Sequence, residues 1–296
     1  MGRARWPGLL LLGPRGRQFC FSATRVDVFE LQVSAMNMHA EPPPAGKRVV
    51  WSGGLPVTAD VLNAVAAAIT TAWHARGHTA ITEVEAYDAL ADTTGSATYW
   101  QPPDDDDLVA AAPVVVRALE PVAATVAGSS AVDWWDRPVS LPDQHFVSWI
   151  HTPHGRRAAP PLLTGTAERL RQWRKFMKGP RTSVWWSYPD VVSTSAAHGA
   201  LPATQLELVE DSLGSTRARV ARLEPAPGCR VLELVTPQDW IDLVDAHPLD
   251  VMHSRDDSWP QSTGGRGPWF LPDWFSVSHE YDAVHLTVLA YLSTAG

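Results

Sequence analysis

The sequence predicts an α/β or α+β fold in which a helical N-terminal portion packs on a mixed β-sheet formed mainly by the C-terminal half. Two observations favour this class. Apolar residues recur every four positions between residues 60 and 76, which is the period of a helix that buries one face. Short β-rich segments bounded by turn residues follow from residue 183 onwards, and the hydrophobic fraction of 45% is that of a folded globular protein.

Three parts of the chain are expected. No helical period develops before Pro42-Pro43-Pro44, so residues 1–46 are predicted to be a non-globular leader and linker, with a transit peptide as the alternative. Residues 47–160 form a mostly helical portion and residues 161–296 a mixed α/β portion. These two portions are separate domains or one continuous domain.

The N-terminal helices are predicted from their apolar faces and end signals. The first covers residues 60–76 and ends at Gly77, which suits the left-handed conformation found after helices. Thr82 and Glu85 form a capping box for the second helix.

Acidic residues mark the start of the next helical region. Residues 104–107 are all aspartates, and carboxylates stabilise the positive end of a helix. We interpret them as caps of the apolar stretch 108–126 rather than as a metal site. Pro113 and Pro121 are expected to break or kink that stretch.

The C-terminal half alternates helices with strands. A basic amphipathic helix is predicted over residues 166–178, and Thr236 caps a later helix whose first position is Pro237. The predicted strands cover residues 183–187, 205–210, 217–223, 229–235 and 282–292, the last with Val284, Leu286 and Val288 facing inward.

Charge and cysteine content exclude several classes of protein. A net charge of −8 is repelled by phosphate backbones, so we expect no binding of nucleic acid. Cys20 and Cys229 are too few for a disulfide framework and lack metal-ligand spacing, which favours a soluble cytoplasmic protein without a metal. We expect no membrane association, because no apolar run in the sequence has the length of a membrane span.

Tryptophan is frequent, with 14 residues against 5 tyrosines and 7 phenylalanines. These indoles pack the core, or some of them form a stacking surface for a sugar, a nucleobase or a nicotinamide ring. Trp185 and Trp186 are adjacent on a predicted strand, so they point to opposite faces and one of them can line a cleft. The hydroxyls of Ser187 and of Ser193-Thr194-Ser195 are candidates for holding a ribose or an amide there. The alternative is a core strand followed by a polar turn.

A second candidate cluster is His279-Glu280-Tyr281-Asp282-Ala283-Val284-His285. His285 alternates with the apolar residues on either side of it, which places it on the face opposite the core contacts. Glu280 and His285 are therefore candidate acid–base residues at a helix-to-strand junction. A structural histidine in a strand is the alternative.

Together these clusters resemble the ADP-ribosyltransferase-like fold. The aromatic strand ending in Ser187-Tyr188-Pro189, the Ser193-Thr194-Ser195 turn and the late Tyr281-Asp282-Ala283-Val284 segment are similar to parts of that fold. The resemblance implies NAD as cofactor, with Trp185 or Trp186 stacking nicotinamide, the serine and threonine hydroxyls holding ribose, and Glu280 or His285 as the acid–base group. For the family's first-strand Arg or His motif, the chain offers the candidates His145 and His151. The family's catalytic Glu normally follows the Tyr-Asp-Gly segment on a later strand.

The chain also resembles a group of uncharacterised actinobacterial proteins, through stretches such as Tyr99-Trp100-Gln101-Pro102-Pro103 and Val209-Glu210-Asp211. That resemblance implies no activity. Two hypotheses follow from the sequence. One is an NAD-using transferase or glycohydrolase-like enzyme. The other is a non-catalytic protein-binding or immunity-type protein whose acidic charge and exposed tryptophans serve a protein partner.

Overall fold

The computed structural model describes residues 3–27, 57–77, 79–97, 105–150, 165–179, 187–210, 215–255, 259–260 and 264–294. By its contacts the chain divides into two compact units. The first holds residues 1–93, 103–134 and 292–296, and the second holds residues 94–102 and 135–291. The expected boundaries at residues 46 and 160 lie outside the described residues and stay predictions.

The first unit is built from helices. Among its described residues they are α1 (Trp6–Leu12), α2 (Pro14–Thr24), α3 (Ala59–Ala75), the greater part of α4 (Glu83–Gly95), α5 (Asp105–Ala111) and α6 (Pro113–Gly128). Helices α1, α2, α3 and α5 all contact α6, which makes α6 the central element of this unit. As its four-residue period predicted, α3 buries Val61, Val65, Ile69 and Trp73.

The ends of these helices follow their local chemistry. Gly77 takes a φ of 67° after α3, where a side chain would be strained. The capping box is confirmed, because Glu85 Oε2 accepts from the Thr82 N–H at 2.8 Å and Thr82 Oγ1 accepts from the Glu85 N–H at 3.3 Å. The Arg76 guanidinium donates two hydrogen bonds of 2.7 Å to Glu85 and holds the pKa of that carboxyl far below its usual range.

Both prolines of the apolar stretch lie at or inside α6. Pro113 begins the helix, as the expected break requires, because a residue in the first turn has no helical partner for its N–H. Pro121 lies in the interior of the helix, which continues to Gly128. Among the described residues, no single helix is long and apolar enough to cross a membrane, although the pair α5 and α6, bent by 74°, passes that test of length and composition together.

Residues 3–27 differ from the expected leader. The sequence predicted no regular structure there, but α1 and α2 form and bury Trp6, Leu10 and Phe19 completely. Each helix has a proline in its first two positions, and a single glycine separates them. With 7 and 11 residues, the helices are too short for an apolar period to stand out in the sequence.

The second unit contains three two-stranded sheets among its described residues. Strands β1 (Gln144–Trp149) and β2 (Ala218–Leu223) are antiparallel, β3 (Val231–Leu234) and β6 (Ala283–Leu286) are parallel, and β4 (Pro248–Asp250) and β5 (Phe270–Pro272) are antiparallel. The helices with described bounds in this unit are α7 (Thr166–Met177), α8 (Pro237–Ala246), α9 (Met252–Arg255), α10 (Trp274–Val277) and most of α11 (Val288–Ser293). The predicted fold class, with helices at the N-terminus and strands mainly in the C-terminal half, is confirmed. The described strands form separate pairs.

Two apolar clusters lie among the described residues of the second unit. Trp240 of α8 and Trp274 of α10 pack against both clusters, and their ring centroids lie 6.1 Å apart. These two indoles therefore pack the core, which is the first of the two roles considered for tryptophan. The buried members are Trp173, Met177, Leu249, Val251 and Leu271 in one cluster and Leu234, Leu243 and Val277 in the other.

Two predicted strands are wrong in whole or in part. Residues 205–210 hold no strand, and the chain makes a 3₁₀ turn at Thr204–Leu206 instead. The strand predicted over residues 282–292 ends at Leu286, which is exposed rather than inward. Thr287 Oγ1 then accepts from the Ala290 N–H at 3.1 Å and caps α11. This cap and the burial of Leu289, Ala290 and Leu292 favour a helix over the strand that local β-propensity indicates.

Candidate functional site

The parallel pair of β3 and β6 brings a histidine and a carboxylate together. Glu233 is the register partner of His285, and its Oε2 lies 2.5 Å from His285 Nδ1. Partners in register project from the same face of a sheet. The second carboxylate oxygen, Oε1, accepts from the backbone N–H of Val139 at 2.9 Å. Both oxygens of Glu233 are therefore held, and the imidazole is oriented by a fixed carboxylate.

This pair has the arrangement of a general acid–base dyad. When Nδ1 of the neutral His285 donates to Glu233, Nε2 is the acceptor nitrogen. The side chains of His285 and Glu233 are 27% and 29% exposed, so the dyad is partly accessible. A histidine positioned in this way can take a proton from water or a hydroxyl group and return it to a leaving group.

Glu280 lies in a second group of polar residues, just after α10. Its Oε1 is 3.8 Å from Nε2 of His247, and Nδ1 of His247 is 3.0 Å from the hydroxyl oxygen of Ser276. The His247 side chain is 7% exposed and that of Glu280 is 62% exposed. The order serine, histidine, carboxylate links the hydroxyl of the half-buried Ser276 to a charge at the surface.

Several hydrogen bonds fix this second group. Asp273 caps α10, because its Oδ1 accepts from the Ser276 N–H at 3.4 Å. The same carboxylate accepts from two guanidinium nitrogens of Arg174 in α7, with Nε at 2.6 Å. The backbone N–H of Asp273 donates to the carbonyl of His247 at 2.7 Å. The segments that carry the serine and the histidine are therefore tied to each other and to α7.

The aromatic residues predicted to stack a cofactor, Trp185 and Trp186, lie outside the described residues. Ser187 is described, and its carbonyl accepts from the indole N–H of Trp274 at 2.9 Å. This bond connects Ser187 to α10 and so to the group that contains Glu280.

The hydroxyls of Ser193-Thr194-Ser195 are engaged within the protein. Ser193 Oγ accepts from the side chain of Gln205 at 2.7 Å, and Ser195 Oγ accepts from the backbone N–H of Gln205 at 3.1 Å. Thr194 donates to the buried side chain of Gln144 at 2.7 Å. The turn is thereby fixed against β1. A ribose would have to replace these protein partners in order to bind the hydroxyls.

The same turn pairs with the first strand of the second unit. His145 in β1 and Ser195 exchange backbone hydrogen bonds of 2.9 and 3.0 Å in an antiparallel bridge. Nδ1 of His145 lies 3.4 Å from Oδ1 of Asp143. One first-strand candidate therefore lies directly beside the Ser-Thr-Ser turn, while His151 lies outside the described residues.

Glu233 and His247 were not among the residues predicted from the sequence. Glu233 precedes His285 by 52 residues and stands there as one charged residue in an apolar strand. His247 is followed by Pro248, and this pair is typical of the end of a helix. In both cases the signal is an ionisable residue at an apolar or helix-end position, and its partner becomes visible only in three dimensions.

No family model matches this sequence, and no curated protein or solved structure shows significant similarity to it. In the described ranges, no group of three or more His, Cys, Asp or Glu side chains is arranged to hold a metal ion. Function is therefore inferred from the residues and their contacts.

Proposed function

We propose that the chain is an NAD-using transferase or glycohydrolase-like enzyme in which His285, oriented by Glu233, is the acid–base group. The observation that carries the proposal is the 2.5 Å contact between His285 Nδ1 and Glu233 Oε2 on paired parallel strands. The substrate class comes from the resemblance to the ADP-ribosyltransferase-like fold. The bridge between His145 and Ser195 supports it, because it sets a first-strand histidine beside the Ser-Thr-Ser turn.

In the proposed reaction, Nε2 of His285 takes a proton from the acceptor, which is water or a hydroxyl group. The acceptor oxygen bonds to C1 of the nicotinamide ribose, the bond from that carbon to the pyridinium nitrogen breaks, and nicotinamide leaves as a neutral ring. Glu233 stabilises the imidazolium that forms. The Thr194 hydroxyl is bonded to Gln144 of β1, and those of Ser193 and Ser195 are bonded to Gln205 in the 3₁₀ turn, so we assign these three residues a structural role.

The test measures the release of nicotinamide from NAD by the full chain. Chromatography monitors the release with and without an added hydroxyl acceptor. His285→Gln is expected to lower kcat/KM by about 10²–10⁴-fold, the usual contribution of a positioned acid–base group. Glu233→Gln is expected to give a smaller loss, because it removes the orienting charge but keeps the imidazole. The matched control is His253→Gln, a change at an exposed histidine of α9, which should leave the rate unchanged.

Binding gives a second readout of the same proposal. NAD at 100 times its Kd raises the free energy of unfolding by about 2.7 kcal/mol, which a thermal-shift assay detects. If millimolar NAD causes neither a thermal shift nor nicotinamide release, the proposal is refuted and the protein-binding hypothesis takes its place.

A further inference from the structure

We infer that Ser276, His247 and Glu280 form a second catalytic site, in which Ser276 Oγ is a nucleophile towards carboxylic esters. The group lies where the end of α8 meets α10 and the turn that follows α10. It shares no residue with the His285–Glu233 dyad. The inference therefore does not depend on the proposed use of NAD.

The distances give each residue a distinct role. The Ser276 hydroxyl is 3.0 Å from Nδ1 of His247, within reach for transfer of its proton. When this hydroxyl donates to Nδ1, the neutral imidazole carries its own proton on Nε2. That nitrogen faces Glu280 Oε1 at 3.8 Å. The imidazolium formed by proton transfer would therefore lie beside a carboxylate, which stabilises it.

The imidazole of His247 is held between the other two residues of the group. Its side chain is 7% exposed, which limits its reorientation, whereas the side chain of Glu280 is 62% exposed. Ser276 is itself half-buried. Nucleophilic catalysis by serine generally uses a hydroxyl beside a base, with a carboxylate on the other side of the base to orient it.

The backbone holds the nucleophile and the base in place. The His247 N–H donates to the Leu243 carbonyl at 3.0 Å, which ends α8, and the His247 carbonyl accepts from Asp273 at 2.7 Å. Asp273 is fixed in turn by Arg174. Groups held by such supporting bonds are preorganised, so little reorientation is needed before reaction.

The reaction balances with water as the second reactant. Ser276 Oγ bonds to the ester carbonyl carbon while its proton moves to Nδ1 of His247. The bond from that carbon to the alcohol oxygen breaks, and the alcohol leaves with the proton from His247. Water then attacks the acyl-serine and gives a proton to His247. The carboxylic acid leaves, and Ser276 regains its proton.

The experiment treats the full chain with a fluorophosphonate probe and locates the modified residue by peptide mass mapping. The expected result is one label, on Ser276, and a matching burst of nitrophenol from 4-nitrophenyl acetate. Ser276→Ala should abolish both signals. The matched control is Ser278→Ala, because the Ser278 hydroxyl donates to the Phe275 carbonyl at 2.8 Å and has no role in the site.

Two more variants separate catalysis from a structural hydrogen bond. His247→Gln retains a polar group at this position but is no base, so labelling should slow by about 10²-fold or more. Glu280→Gln should slow labelling by a smaller factor, because this carboxylate is largely exposed and screened.

Several results would overturn the inference. They are an unlabelled wild-type chain, a label mapped to another residue, and a Ser276→Ala variant that is labelled at the wild-type rate. Mapping the label on the wild-type chain decides the question even if Ser276→Ala fails to fold. If the wild-type chain releases no nicotinamide from NAD while Ser276 is labelled, the proposed function is refuted and this site stands.

Discussion

Replacing Leu10 with alanine tests whether residues 3–27 belong to a folded core. Leu10 is 0% exposed in α1, whereas Leu12 in the same helix is 63% exposed. Both variants make the same change in one helix, and alanine is the better helix former, so a large loss at Leu10 alone reports burial. Leu10→Ala is expected to cost about 2–5 kcal/mol through lost contacts and a residual cavity. Leu12→Ala should stay within about 0.5 kcal/mol of the wild type.

Unfolding in urea, followed by tryptophan fluorescence, measures both free energies. At a typical slope of about 1–3 kcal/mol per molar urea, a loss of about 3 kcal/mol lowers the midpoint by roughly 1–3 M. Because the chain has two compact units, we expect this change in the transition that unfolds the first unit. Hydrogen exchange of the α6 amides identifies that transition, since α1 packs against α6.

Small and equal losses for the two variants would refute this reasoning. In that case α1 would not contribute to the core, and removing residues 1–27 should leave Tm unchanged, as the leader hypothesis requires. A large loss for Leu10→Ala alone would establish that α1 is a structural part of the first unit.

Two further predictions concern ionisable groups. Burial raises the pKa of the Cys20 thiol above its usual range, so iodoacetamide at pH 8 should alkylate Cys229 but not Cys20 in the native chain, and mass spectrometry that finds both modified would contradict the packing of α2. Hydrogen bonds from Arg230 lower the pKa of Asp282 from 3.8 to about 2. A depressed carboxyl pKa gives stability that is present above the unfolded value and lost as pH falls through the folded one. Asp282→Asn should therefore flatten the dependence of Tm on pH between about 4 and 2, and an unchanged slope would contradict the pairing.

The sequence predicted those parts of the fold that depend on neighbouring residues. The apolar face of α3, the Thr82–Glu85 capping box and the start of α8 after Thr236 all follow from contacts within four positions of the chain. Such contacts carry the same meaning in any tertiary context. They could therefore be predicted without knowledge of the rest of the molecule.

The missed elements depend on distant partners. The pairing of β1 with β2 joins residues 69 to 79 positions apart, and nothing local in the sequence sets its register. Helices α1 and α2 bury their apolar residues against α6, far along the chain. At residues 287–292 the local β-propensity indicated a strand, but a threonine cap and tertiary packing favour α11.

The partners of the candidate site residues also could not be predicted from neighbouring residues. In the sequence, Glu280 and His285 belong to one short segment, which suggests one acid–base group. Glu280 lies in the turn after α10, whereas His285 lies in β6, so the two side chains have different neighbours. Glu280 turns toward His247 at the end of α8, whereas the parallel register of β6 sets His285 against Glu233. Because each histidine has its own carboxylate, His285→Gln and His247→Gln should affect different reactions, NAD turnover in one case and serine labelling in the other. Parallel losses of both activities in each variant would require that the two groups act as a single site.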